Sequence, residues 1–114
     1  MRGFVVEHYA ADQLTLRGLQ LVARNFQTRF GEIDLIMWDQ AVLVFVEVRY
    51  RRHSRFGDAL DSVTPAKQQR LIRTADIYLQ HKQLSCACRF DIVGVTGPRH
   101  ARHIDWIRHA FDAC

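Results

Sequence analysis

One carboxylate stands where the local pattern has no place for it. In Val42-Leu43-Val44-Phe45-Val46-Glu47-Val48 every side chain except Glu47 is apolar. A buried carboxylate is costly unless a cation or hydrogen-bond donors compensate it. Strand alternation puts Leu43, Phe45, Glu47 and Arg49 on one face and the four valines on the other. In the preceding run the same alternation gathers Glu32, Asp34, Ile36 and Trp38 on one face. A hairpin with a two- or four-residue loop centred on Asp39-Gln40 sets Asp34 opposite Phe45 and Glu32 opposite Glu47. Asp34 is then diagonal to Glu47, at roughly 7–8 Å between backbones. A three-residue loop would send Asp34 to the other face. Carboxylates crowded in this way repel one another. A hard divalent cation such as Mg²⁺, which takes oxygen ligands and keeps part of its water, relieves that repulsion. The competing reading is a structural ion pair between Glu47 and Arg49 or another nearby arginine.

Lys67 is a second candidate. It lies near the third position of a helix that starts at Thr64-Pro65, where the helix dipole disfavours a cation. Either it snorkels into solvent or it points over the sheet toward the carboxylates, and Gln68 beside it has the same choice. Between Arg49 and Arg73 the chain has seven basic residues against two acidic ones, whereas the remainder has nine basic and ten acidic. The net charge of +4 therefore comes entirely from one stretch. Fourteen of the sixteen basic residues are arginine, whose planar fork suits bidentate phosphate contact. Such a concentration suggests a nucleic-acid or other polyanionic partner, against the simpler alternative of a solvated face.

The elements that must position these residues follow from periodicity. Val6, Ala10 and Leu14 predict a helix over 4–17 with Gly18 as its C-cap. Leu19 to Phe26, Gly31 to Trp38 and Val42 to Val48 predict three strands. The last is apolar on both faces, so it should be central and covered on both sides. Thr64 as N-cap and Pro65 at the first turn start a helix to about Lys82, with Leu71, Ala75 and Tyr78 on its apolar stripe. Arg89 to Val95 predicts a fourth strand, ended by Gly97-Pro98. The tail, with Ile104, Trp106, Ile107 and Phe111, fits strand or helix equally.

At 114 residues the chain suits one domain over 1–114, and 48% hydrophobic with 25% charged residues excludes disorder and collagen-like repeats. No apolar run approaches the ~18 residues of a membrane span. Glu7 and Asp12 interrupt any signal-peptide core, so a cytoplasmic protein is expected. Cys86, Cys88 and Cys114 are odd in number and lack C-x-x-C spacing, which predicts reduced thiols. The six histidines form no recognised ligand set.

Taken together, Gly3-x-x-x-Glu7, Arg24-Asn25, Gly31-Glu32-Ile33-Asp34-Leu35-Ile36, Phe45-Val46-Glu47-Val48-Arg49, Phe56-Gly57, Thr64-Pro65-x-Lys67-Gln68 and Arg89-Phe90-Asp91 resemble the YraN family of small bacterial proteins. That family is similar to the PD-(D/E)XK nucleases, which include Holliday-junction resolvases. The resemblance runs from Gly3 to about Phe111. It implies a restriction-endonuclease-like αβββαβ core, a mixed central sheet flanked by helices, which is the order read above from periodicity. It also implies that Asp34 and Glu47 are the motif acids, that Glu7 is the first-helix acid, and that Arg49 occupies the usual lysine position. Arginine stays charged at any accessible pH, so Arg49 can stabilise charge but cannot act as a base. Lys67 is the candidate to supply the missing amine.

The expected function is Mg²⁺- or Mn²⁺-dependent hydrolysis of phosphodiester bonds in DNA, branched or otherwise structured rather than a short sequence site. Asp34, Glu47, Arg49 and Lys67 are the expected catalytic residues, and Asp34, Glu47, Glu7 and Glu32 the expected metal ligands. Arg51, Arg52, Arg55, Lys67, Gln68 and Arg70 would contact nucleic acid. The alternatives are a non-catalytic nucleic-acid-binding module on the same fold and a protein-interaction adaptor. The apolar tail suits a homodimer contact.

Overall fold

The structure, a computed structural model, describes residues 2–51 and 58–112. Helix α1 (Arg2–Leu16) ends where expected. Gly18 adopts φ +104°, and the Leu19 and Gly18 amides donate to the carbonyls of Leu14 and Thr15 at 3.1 Å each. These are the two bonds of a Schellman motif, which needs a left-handed residue at that position. Strands β1 (Gln20–Thr28), β2 (Gly31–Asp39) and β3 (Val42–Arg51) follow. After a single helical turn, α2 (Asp58–Asp61), comes α3 (Pro65–His81), capped by Thr64 Oγ1, which accepts from the Lys67 amide at 3.2 Å. Strands β4 (Cys88–Thr96) and β5 (His103–Phe111) complete the chain. The ambiguous tail is therefore a strand. Its apolar side chains are half-buried against the cores, Ile104 and Trp106 on one and Ile107 and Phe111 on the other.

The five strands form one sheet in the order β1-β2-β3-β4-β5. Only the β3–β4 pair is parallel, and α3 lies in the connection between those strands. A parallel pair needs such a crossover. β3 is the central strand, and its two faces enter different cores. Val44 and Val46 pack with Val6, Ala10 and Leu14 of α1. Leu43 and Phe45 pack with Leu71, Ala75 and Tyr78 of α3. The result is an α/β sandwich with the element order of a restriction-endonuclease-like core. Among the described residues no helix is long and apolar enough to cross a membrane.

Two details differ from the expectation, and both bear on the acids. The β2–β3 turn is Gln40-Ala41, with Gln40 left-handed at φ 55°, not a loop centred on Asp39-Gln40. Phe45 is therefore opposite Ile36 and not Asp34. Continuing the Leu35–Val46 pairing by one residue brings Asp34 level with Glu47, closer than the expected diagonal. Glu32 is accordingly displaced from Glu47.

The alternation in β2 also breaks. Ile33 and Ile36, three residues apart, both lie in the α3-side core, while Leu35 and Met37 lie in the α1-side core. The same slip occurs in β1, where Ala23 and Phe26 pack on the α3 side. Between them Asn25 has φ 52°, a left-handed conformation that asparagine tolerates better than most residues. Glu32, Asp34, Ile36 and Trp38 thus do not share one face, because the strand rolls at Asp34.

Candidate active site

The roll at Asn25 and Asp34 turns an acidic cluster toward the edge between α1 and the ends of β2 and β3. Asp34 and Glu47 are 8% and 5% exposed, and the half-buried Glu7 reaches them from α1. Asp34 Oδ2 accepts from the Val48 amide at 2.8 Å. That single donor does not offset its surroundings. Burial, and after it the neighbouring Glu47 carboxylate, pushes the Asp34 pKa up to about 9. Glu7 is shifted upward as well, first by burial and then by repulsion from Glu32. Glu7 and Asp34 are linked by a hydrogen bond between their carboxyl groups.

Glu32 sits at the rim of this cluster, where Gln27 Nε2 donates to its Oε1 at 3.2 Å. In the amide orientation that satisfies both acids, Asn25 donates to Glu7 Oε1 at 2.8 Å and to Glu32 Oε1 at 3.3 Å. Asn25 therefore shapes the chain and also bridges two of the acids. Sequence reasoning gave it no such role, and the signal available was an asparagine in mid-strand, where a left-handed break is affordable.

Lys67 does point over the sheet. Its Nζ is 2.7 Å from Glu47 Oε2, so the amine absent from position 49 arrives from α3. Arg49 Nε is 3.4 Å from the same oxygen but makes no hydrogen bond there and, among the described residues, has no hydrogen-bond partner. Arg49 Nη2 donates instead to the Ser62 carbonyl at 3.3 Å. The simple Glu47–Arg49 pair is thus the weaker of two contacts. Gln68 does not turn to the acids, because its Nε2 donates to the Val63 carbonyl at 3.1 Å and fastens the loop before α3. Arg51, at the end of β3, and Arg70, on α3, are exposed. Arg52 and Arg55 lie outside the described residues, as does the Phe56-Gly57 motif.

The donor set consists of hard carboxylate oxygens whose mutual repulsion a divalent cation would relieve, which fits Mg²⁺ or Mn²⁺. Among the described residues no three His, Cys, Asp or Glu side chains close into a complete ligand set. The residues that would hold such an ion are Asp34 and Glu47.

Known proteins carry the same sequence pattern. Residues 6–95 match the model described as uncharacterised protein family UPF0102. A UPF0102 protein of Chromohalobacter salexigens is 55% identical over 112 residues, covering 98% of this chain and 91% of that protein. One from Nitrosococcus oceani is 54% identical over 112 residues, covering 96% and 90%. One from Stutzerimonas stutzeri is 46% identical over 113 residues, covering 97% and 94%. The matched span runs from α1 to the end of β4 and so includes every residue of the acidic cluster together with Lys67, which means that the chain belongs to the UPF0102 family.

Proposed function

We propose that this protein is a divalent-metal-dependent phosphodiesterase acting on nucleic acid, with structured DNA as the first substrate to test. The observation that carries this reading is the convergence at Glu47. A buried carboxylate beside Asp34 is met by Lys67 Nζ at 2.7 Å, next to the most basic stretch of the chain. Mg²⁺ or Mn²⁺, when bound, supplies a water of lowered pKa and stabilises charge on the scissile phosphate.

The protein's own groups do the rest. Asp34 and Glu47 would hold the ion. Glu7, with its pKa raised, is placed to take or give a proton at the Asp34 carboxyl. Lys67, now 2.7 Å from Glu47, would donate to a phosphate oxygen. Arg49, charged at every accessible pH, adds electrostatic stabilisation and no base.

Purified protein incubated with linear, flapped and four-way DNA and Mg²⁺ or Mn²⁺ should cut at least one of them. Asp34→Ala and Glu47→Ala should abolish the cut. Cleavage that persists in both variants would overturn the assignment.

A second reading has an observation of its own in favour. Lys67 already neutralises Glu47 and, among the described residues, the ligand set is incomplete, which suits a nucleic-acid-binding module that has given up cutting. It predicts salt-sensitive binding in EDTA and no metal-dependent cleavage on any substrate.

A further inference from the structure

The β1–β2 turn brings a second basic site against α3. Thr28 Oγ1 lies 3.2 Å from Thr74 Oγ1 and accepts from the Phe30 amide at 3.1 Å. A Cβ at Gly31 would stand 3.6 Å from Arg70 Cβ, so the turn rests on the helix and its shape is set by packing. The Phe30 ring is thereby held under two guanidinium groups, with Arg29 Cζ 4.9 Å and Arg73 Cζ 5.2 Å from its centroid. With Arg70 these residues line a groove of about 470 Å³. No acidic side chain among the described residues lines it. Among the described residues none of the three arginines forms an ion pair.

Three unneutralised arginines this close repel one another, so the arrangement favours an anionic ligand. A guanidinium stacked on an aromatic ring keeps its N–H edges free for phosphate and offers a flat face to a base. Arginine with an aromatic ring in a basic groove is the chemistry that grips an unpaired nucleic-acid strand. Lys67, Arg70 and Arg73 follow one another at three-residue spacing on α3. The groove therefore begins within ~9 Å along the helix axis of the lysine at Glu47.

We infer that the Arg29, Phe30, Arg70 and Arg73 groove binds a single-stranded segment of nucleic acid, its phosphates on the arginines and a base on the guanidinium–Phe30 layer. The placement of that strand as it leaves the acidic cluster rests on the nuclease reading, whereas binding in the groove does not.

The test is fluorescence anisotropy in EDTA, with a single-stranded oligonucleotide carrying 2-aminopurine and the matching duplex, for wild type, Arg29→Gln/Arg73→Gln and Phe30→Ala. The double variant should bind the single strand at least about tenfold more weakly, with a salt slope smaller by about 1.4, because two phosphate contacts are lost. Phe30→Ala should lose the 2-aminopurine response and leave duplex affinity within about twofold of wild type, a ratio insensitive to the amount of folded protein. Unchanged single-strand affinity in the double variant would overturn the proposal. So would equal losses on single strand and duplex, or poly-glutamate competing as well as the oligonucleotide. If the groove variants lose binding while no substrate is ever cut, the groove stands and the nuclease reading falls. If instead cleavage depends on Asp34 and the groove variants bind as wild type, the nuclease reading stands and the groove falls.

Discussion

Asp91 and Asp34 are the same residue type at similar depth, 1% and 8% exposed, in surroundings that differ in sign. Asp91 is ringed by donors. Arg89 Nε reaches it at 3.0 Å, Trp106 Nε1 at 2.9 Å and the His109 amide at 3.0 Å. The last of these exists because β5 bulges opposite Phe90 and Ile92, with His109 at φ 50°. Arg89 also holds Asp39 at 2.9 Å, which ties β4 to the far end of β2. Among the described residues Asp34 has one donor, the Val48 amide, and two carboxyl neighbours. The first carboxylate is neutralised by the fold and the second is left in want of a positive charge. A buried acid whose compensation is missing is a candidate for a binding site; one that is fully compensated is a structural joint.

The largest effect should come from breaking the joint. Asp91→Ala leaves Arg89 and the Trp106 indole without their acceptor, and urea denaturation should show a loss of about 3–5 kcal/mol. A loss below about 1 kcal/mol would mean that Asp91 is no more committed than a surface acid.

Asp34→Asn should act in the opposite direction on stability. The amide oxygen keeps the Val48 bond and no proton has to be taken up on folding, so without metal the variant should gain about 1 kcal/mol or more at pH 7. On the nuclease reading, cleavage of DNA should fall by about a hundredfold or more. A variant that loses both stability and cleavage would erase the contrast with Asp91.

The pH profile sharpens the comparison further. The Asp34 carboxyl is near 3.8 unfolded and about 9 folded, so the folded state binds its proton more tightly. Its contribution is present below about pH 4 and lost as pH rises toward 9, with a slope of at most about 1.4 kcal/mol per pH unit. Metal-free wild type should lose stability across that window in urea titrations, and Asp34→Asn should flatten the profile. Added Mg²⁺ should flatten it too, with proton release measurable by calorimetry in buffers of different ionisation enthalpy.

The smallest effect belongs to Lys67. Its side chain is 29% exposed whereas that of Arg89 is 15% exposed, so solvent screens its pair with Glu47. Lys67→Met should cost about 1 kcal/mol without metal and less in Mg²⁺, because the cation takes over Glu47. An equal cost in both conditions would show that Lys67 and the ion do not share that carboxylate.

Much of the fold and part of the site are readable residue by residue. The helix start at Thr64-Pro65 and the helix stop at Gly18 are local chemistry, and the structure places both where they are expected. The central place of β3 follows from its apolar residues on both faces. The oddity of Glu47 and the reach of Lys67 are visible as violations of pattern, a charge in an apolar run and a cation in a first helical turn. The direction of Gln68 is not, because the carbonyl of Val63 that takes its amide is set by the path of the loop before α3.

Local chemistry alone is enough for the order of the six elements α1, β1, β2, β3, α3 and β4 and for the residues that break their rules. Propensity, capping and alternation act over a few neighbours, whereas α2 and the strand nature of β5 are not readable that way. The tertiary structure decided who meets whom. One left-handed residue at Asn25 rolls the strands and turns Asp34 toward Glu7. A turn displaced to Gln40-Ala41 changes which residues of β2 and β3 are paired. Arg29 and Phe30 meet Arg73 only through a contact between a turn and a helix distant in sequence. Faces and registers depend on single backbone angles and long-range packing, and neither leaves a periodic trace in the chain.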